Sequence, residues 1–172
     1  MNHIVLYHPE IPQNTGNIMR TCAAADMKLH LIEPLGFDLD IKKVRRSAAN
    51  YMDKVEYQVY KDYDEFLSLN KGDMFFITRY GQQAPDKMDF SGKSGKDIYV
   101  IFGSESSGIP KEILRGHLDK CLRLPMTDKV RSLNLSNTAA ILAYEVLRQQ
   151  DYNDLWSHEP ESLKGKDWLI EE

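Results

Sequence analysis

Only two cysteines, Cys22 and Cys121, occur in the 172 residues, which excludes a disulfide framework. Both sit in apolar surroundings, one helix-like and one strand-like, and read as reduced core residues. No apolar run approaches the roughly 18 residues that a membrane-crossing helix needs. The start, Met1 to His8, has a short apolar run and no basic leader, so it reads as a strand and not as a secretory signal. Surplus positive charge is lacking as well. The 22 Lys and Arg face 26 Asp and Glu, a formal net charge of −4, which argues against a protein held on nucleic acid by bulk charge. A local basic patch stays compatible with that figure. Without a Gly-x-Ser-x-Gly elbow, hydrolase chemistry has no nucleophile to name. Without Cys-x-x-Cys, and with the histidines scattered at His3, His8, His30, His117 and His158, no metal site is expected. A cytoplasmic enzyme or binding protein remains.

What is present is globular. Hydrophobic residues make up 42% and charged residues 28%, a balance that lets a chain of this length bury one core unaided. Runs rich in β-branched and aromatic residues at Ile4–Tyr7, Leu29–Ile32, Val55–Tyr60, Met74–Thr78, Ile98–Phe102 and Cys121–Leu124 predict six strands. Helical patterns fall between most of them, at Thr15–Ala25, Ile41–Asn50, Tyr63–Leu69 and Pro110–Leu118, and a last one follows at Leu135–Gln150. The alternation predicts an α/β fold, a mainly parallel six-stranded sheet with helices on both faces. Residues 1–152 read as one domain and 153–172 as a C-terminal tail, with Trp156 and Trp168 available to dock on the body or on a partner.

The last helix buries a stripe of Leu135, Ala139, Leu142, Ala143, Val146 and Leu147. Ala140, Ile141 and Tyr144 widen that stripe, which points either to a second subunit or to an unusually well-covered helix.

Three junctions between strand and helix carry the functional signal. Asn14-Thr15-Gly16-Asn17 follows a proline turn, where Asn or Thr can cap a helix and Gly16 permits close approach. Capping leaves Arg20 unexplained. Asn17 and Arg20 lie about one turn apart on a polar face, which is either a phosphate or ribose site or a solvated surface. Gly103-Ser104-Glu105-Ser106-Ser107-Gly108 follows the strand ending at Phe102, at the carboxyl edge where such sheets bind ligands. It is neither a Rossmann fingerprint nor a Walker loop. Ser132-Leu133-Asn134-Leu135-Ser136-Asn137 heads the last helix. Separately, Lys42, Lys43, Arg45 and Arg46 crowd into one short segment, either a solvated helix face or a phosphate-contacting patch.

Taken together, Pro9 to Arg20, Ile101 to Pro110, and Leu124-Pro125-Met126 through Arg131 to Asn137 resemble the three motifs of the SPOUT class of methyltransferases. Within it the sequence looks like the small TrmL branch, from residue 3 to about residue 152. Larger ribose methyltransferases of the class add an N-terminal RNA-binding domain, and none is expected here. The resemblance implies a deep C-terminal trefoil knot, which periodicity alone would not suggest. It also implies S-adenosylmethionine as cofactor, a homodimer, and methylation of the ribose 2′-oxygen of the wobble nucleotide in the anticodon stem-loop of leucine tRNAs.

By motif position the resemblance places the cofactor against Ile77, Thr78, Gly103, Glu105, Leu124, Met126, Ser132 and Leu133. Arg20 falls next to the reacting ribose. A guanidinium keeps its proton in water and is a poor base, so clamping a phosphate and steadying a developing 2′-alkoxide suit it better. Asn14 and Asn17 would orient Arg20 and the ribose, Ser132 and Asn134 would hold substrate or the cofactor carboxylate, and Tyr144 would line the site from the dimer side or pack the interface. The basic residues Lys42, Lys43, Arg45 and Arg46 from two copies would form one RNA track. Other readings are a non-catalytic knotted RNA-binding protein, a 2′-O-methyltransferase for another RNA and, more weakly, a nucleotide-binding oxidoreductase.

Overall fold

A computed structural model describes residues 1–172. Its sheet has six strands, all parallel, in the order β3-β2-β1-β5-β4-β6. The strands are β1 (Asn2–Tyr7), β2 (Lys28–Ile32), β3 (Tyr57–Tyr60), β4 (Asp73–Ile77), β5 (Ile98–Phe102) and β6 (Cys121–Leu122). The helices are α1 (Pro12–Ala25), α2 (Lys42–Ser47), α3 (Tyr63–Leu69), α4 (Lys111–Arg115) and α5 (Leu135–Gln149). Every residue of the central strand β5 is buried, as expected for a parallel strand covered on both faces.

Alternation along each strand sends side chains to two cores. Ile4, Leu6, Leu29, Leu31, Val100 and Phe102 pack with Ile18, Met19 and Cys22 of α1 and with Ala139, Leu142 and Val146 of α5. On the other face Val5, Ile32, Phe76 and Ile101 pack with Phe66 of α3 and Leu114 of α4. The two cysteines are free and buried, and burial pushes the Cys22 thiol up to about 12.

The second face also holds a polar relay, buried at His3, His30 and Tyr60 and open to solvent at Asp97. Asp97 Oδ2 lies 2.9 Å from His3 Nε2, His3 Nδ1 lies 2.9 Å from His30 Nε2, and His30 Nδ1 lies 2.7 Å from the Tyr60 hydroxyl. Asn70 Nδ2 donates to that hydroxyl at 3.1 Å, and the Tyr99 hydroxyl donates to Asn70 Oδ1 at 3.4 Å. One direction satisfies all of them: each imidazole neutral, protonated on Nε2 and accepting on Nδ1.

Several boundaries differ from the sequence reading. The third strand starts at Tyr57 because Met52–Lys54 forms a 3-10 turn whose cap is Val55. The last strand stops at Leu122, so Leu124 lies in a loop. The second helix ends at Ser47 because Ala49 and Asn50 adopt positive φ (50° and 65°). The fourth helix ends at Arg115, with a separate 3-10 turn at Leu118–Lys120. The first helix begins at Pro12, where proline suits the first turn, so Asn14 and Thr15 lie inside it and do not cap it.

Candidate active site

The three sequence junctions meet at the carboxyl edge of the sheet, and hydrogen bonds tie them together. Asn134 caps α5: its Oδ1 accepts from Ser136 N–H at 2.9 Å and Asn137 N–H at 3.3 Å. Its Nδ2 donates to Asn14 Oδ1 at 3.1 Å, and Asn14 Nδ2 donates to Glu105 Oε1 at 3.3 Å. The Glu105 carboxylate also accepts from the N–H groups of Glu10 (2.8 Å) and Ile11 (3.1 Å), supplying negative charge at the start of α1, where no side chain of the helix itself caps. In return Glu10 accepts from Ser106, through its N–H at 3.3 Å and its hydroxyl at 2.5 Å. The Ser106 hydroxyl holds the Glu10 carboxyl below the usual range.

Asn14 is the hub of this chain and is buried, with only 4% of its surface exposed. Both ends of its amide are used inside the protein, so it holds the helices together and does not reach outward. Glu105, expected at the cofactor, likewise has its carboxylate committed to α1 and Asn14. Gly16, expected to admit a ligand, instead admits α2: a Cβ there would lie 2.5 Å from the Val44 carbonyl oxygen and from Ser47 Cβ.

Between α1 and α5 runs an open groove of about 360 Å³. Asn17, Arg20, Thr21 and Ala24 line one wall, and Ser136, Asn137, Ala140 and Tyr144 line the other. Three predicted residues, Asn17, Arg20 and Tyr144, therefore share one surface. Arg20 makes no ion pair or hydrogen bond within the chain; its guanidinium lies over the Tyr51 ring, 5.6 Å from the ring centre. None of its five N–H donors is taken up by a protein acceptor.

The remaining predicted residues lie around this centre. Lys42, Lys43, Arg45 and Arg46 are exposed on α2, outside the groove wall, with Arg45 3.4 Å from Asp40. Ile77 ends β4, and Thr78 donates its N–H to the Leu122 carbonyl at 2.9 Å. Ser132 and Leu133 are exposed on the loop before α5. Sequence reasoning placed Ser136 and Asn137 in the third junction without an individual role, and missed Thr21 and Ala24 in the groove and Tyr51 beside it. The groove residues carry a legible signal: Asn17, Thr21 and Ala24 repeat at helical spacing, as do Ser136, Ala140 and Tyr144, and Asn137 lies three residues before Ala140 on the same face. Tyr51 carries none, because a tertiary turn brings it there.

The cofactor implied by the resemblance fits the donor set. The peptide groups of Gly103, Leu124, Met126, Ser132 and Leu133 make no hydrogen bonds within the protein, and partly buried apolar side chains of Leu124 and Ile77 lie nearby in the fold. Free peptide edges beside apolar walls suit an adenine and ribose read by backbone. No helix is long and apolar enough to cross a membrane.

An all-parallel sheet with an arginine-bearing groove between its first and last helices defines an α/β protein with an uncommitted cation at its open groove. The chain belongs to the SpoU rRNA Methylase family, which matches residues 1–144. It is 53% identical over 154 residues to a Bacillus subtilis (strain 168) protein named as a candidate tRNA (cytidine(34)-2'-O)-methyltransferase, covering 89% of this chain and 96% of that one. A crystal structure of a candidate RNA methyltransferase from Bacillus anthracis is 52% identical, with a TM-score of 0.84 over 90% of this chain and 98% of that one. A structure solved for insight into 2-OH methylation of C/U34 on tRNA is 38% identical, with a TM-score of 0.81 over 88% of this chain and 97% of that one.

Proposed function

We propose that this protein methylates the ribose 2′-oxygen of the wobble nucleotide, position 34, of tRNA, in agreement with the activity its relatives are named for. S-adenosylmethionine, when bound, supplies a methyl group already activated on a sulfonium. The peptide groups of Gly103, Leu124, Met126, Ser132 and Leu133 would hold it. What the chain itself must add is alignment and charge stabilisation.

Arg20 supplies the charge. Its unclaimed donors clamp a phosphate and steady the 2′-alkoxide as the proton leaves, while a phosphate oxygen or a water accepts that proton. Asn17, on the same groove wall, orients the ribose. Asn14, Asn134 and Glu105 act at one remove by locking the head of α5 to the start of α1. That hydrogen-bonded chain, which ties all three motif segments together beside the groove between α1 and α5, is the observation that carries the reading.

The finer assignments are leucine tRNAs as substrate, their anticodon stem-loop as the contacted element, and the cytoplasm as location. Residues 1–152 form the methyltransferase domain, with the trefoil threading of the SPOUT class, and 153–172 the tail. A homodimer is supported by α5, where Ile141 and Tyr144 remain 45% and 47% exposed in one chain. Pairing would cover them and merge two copies of Lys42–Arg46 into one basic track, which a chain of net charge −4 otherwise lacks. Light scattering should give about twice the 19.9 kDa chain mass.

The deciding experiment is mass spectrometry of tRNA nucleosides from cells lacking the protein, followed by re-methylation with purified enzyme and tritium-labelled cofactor. Loss and restoration of one 2′-O-methylated wobble nucleoside in leucine tRNA is expected. Methylation of a base, or of another position, overturns the reading.

A further inference from the structure

Tyr51 has no part in the chemistry above, yet it is the side chain laid against Arg20. We propose that Tyr51 is a positioning residue: its ring holds the Arg20 guanidinium at the groove while leaving every donor of that group free. The proposal rests on the reading that Arg20 meets the RNA, and it adds how an exposed, flexible side chain is kept in place for that task.

The choice of an aromatic partner has a chemical reason. A carboxylate would hold an arginine at least as well, but it would take up two of the donors and neutralise the charge that a phosphate or an alkoxide needs. A ring face attracts the cation through its quadrupole and leaves the N–H edges open. The structure shows that arrangement: the guanidinium carbon is 5.6 Å from the ring centre, and no carboxylate forms an ion pair with Arg20. The Tyr51 hydroxyl makes no hydrogen bond within the chain, so the ring is the working part.

The backbone places Tyr51 with care. α2 closes on α1 where only Gly16 leaves room for it. The chain then reverses through two left-handed residues, Ala49 (φ 50°) and Asn50 (φ 65°). Left-handed backbone is unfavourable for a residue with a Cβ, and such strain persists where the surrounding structure requires it. The reversal returns residue 51 toward α1. There Tyr51 N–H donates to the Ala48 carbonyl at 2.8 Å and the Tyr51 carbonyl accepts from Lys54 N–H at 2.9 Å, fixing the peptide on both sides. With 41% of its surface exposed, Tyr51 contributes little to the core, so replacing it should leave the fold intact.

The test compares Tyr51→Leu with Tyr51→Phe. Tyr51→Leu should lower kcat for tRNA by about 10- to 100-fold through misplacement of Arg20, with cofactor affinity by calorimetry unchanged. Tyr51→Phe keeps the ring and should restore kcat to within about twofold of the wild type. A leucine variant with wild-type kcat, or a phenylalanine variant as slow as the leucine one, overturns the proposal. A second readout needs no activity. In 15N-resolved NMR the Arg20 Hε should be shifted upfield by the ring current in the wild type and in Tyr51→Phe, and should lose that shift in Tyr51→Leu. An Arg20 resonance identical in all three proteins overturns the placement. Absence of tRNA methylation by the wild type itself would refute the functional reading, and the resonance would still decide the placement.

Discussion

The polar side chains beneath α3 and those at the carboxyl edge of the sheet differ in how many of their donors and acceptors find partners inside the chain. From Asp97 through His3, His30, Tyr60 and Asn70 to Tyr99, each donor meets an acceptor. At the edge, Asn14, Asn134 and Glu105 are equally engaged, but none of the Arg20 donors is taken up within the chain. A closed network has no binding left to do and serves stability, since each broken link strands a buried group. An open one binds. The edge site combines both kinds, an engaged frame holding an unengaged cation.

Arg20→Ala should break the comparison most sharply. Methyl transfer should fall by about 10³-fold, the scale of losing a preorganised donor, with cofactor affinity within a few-fold by calorimetry and the melting temperature unchanged. His30→Leu should do the reverse. It strands His3 Nδ1 and the Tyr60 hydroxyl, costing about 3 kcal/mol in urea unfolding, while kcat measured well below the melting point stays at the wild-type value.

Asn134→Ala sits between the two classes. Loss of the α5 cap should cost about 1 kcal/mol, and loss of the link to Asn14 should lower activity as well, so both readouts should move together. Acidification probes the closed network without mutation. Burial, with His3 and Lys28 adding, pushes the His30 pKa from the ordinary 6.5 down to about 3, and burial lowers that of His3 too. The unfolded chain therefore takes up protons that the folded one refuses. Stability should be complete above pH 6.5 and decline as pH falls toward 3, read as a falling urea midpoint. The smallest effect belongs to the exposed basic run. Lys42→Ala with Lys43→Ala should weaken tRNA binding several-fold and flatten its salt dependence by about 0.7 in log–log slope per lost phosphate contact.

The sheet was legible because local composition carries it: Ile98–Phe102 reads as a buried parallel strand, and it is buried throughout. The end of α2 was not, since nothing local in Ala49 or Asn50 announces positive φ. At the site, Arg20, Asn17 and Tyr144 stood out because a charge or a ring breaks the pattern of a helix face. The roles of Asn14 and Glu105 were hidden for the opposite reason. Their partners lie 120 and 91 residues away from Asn14 along the chain, and sequence alone does not reveal which polar groups burial will pair.

Gly16 gives the enzyme a hidden dependence on volume. Both Tyr51 and the four basic residues belong to the segment that leans on this one missing side chain, whose Cβ would press on Ser47 and Val44 from 2.5 Å. An alanine at position 16 would push that whole unit outward and imitate an active-site lesion from a residue that meets no ligand. A genetic screen scoring only loss of modification would file it among the catalytic positions.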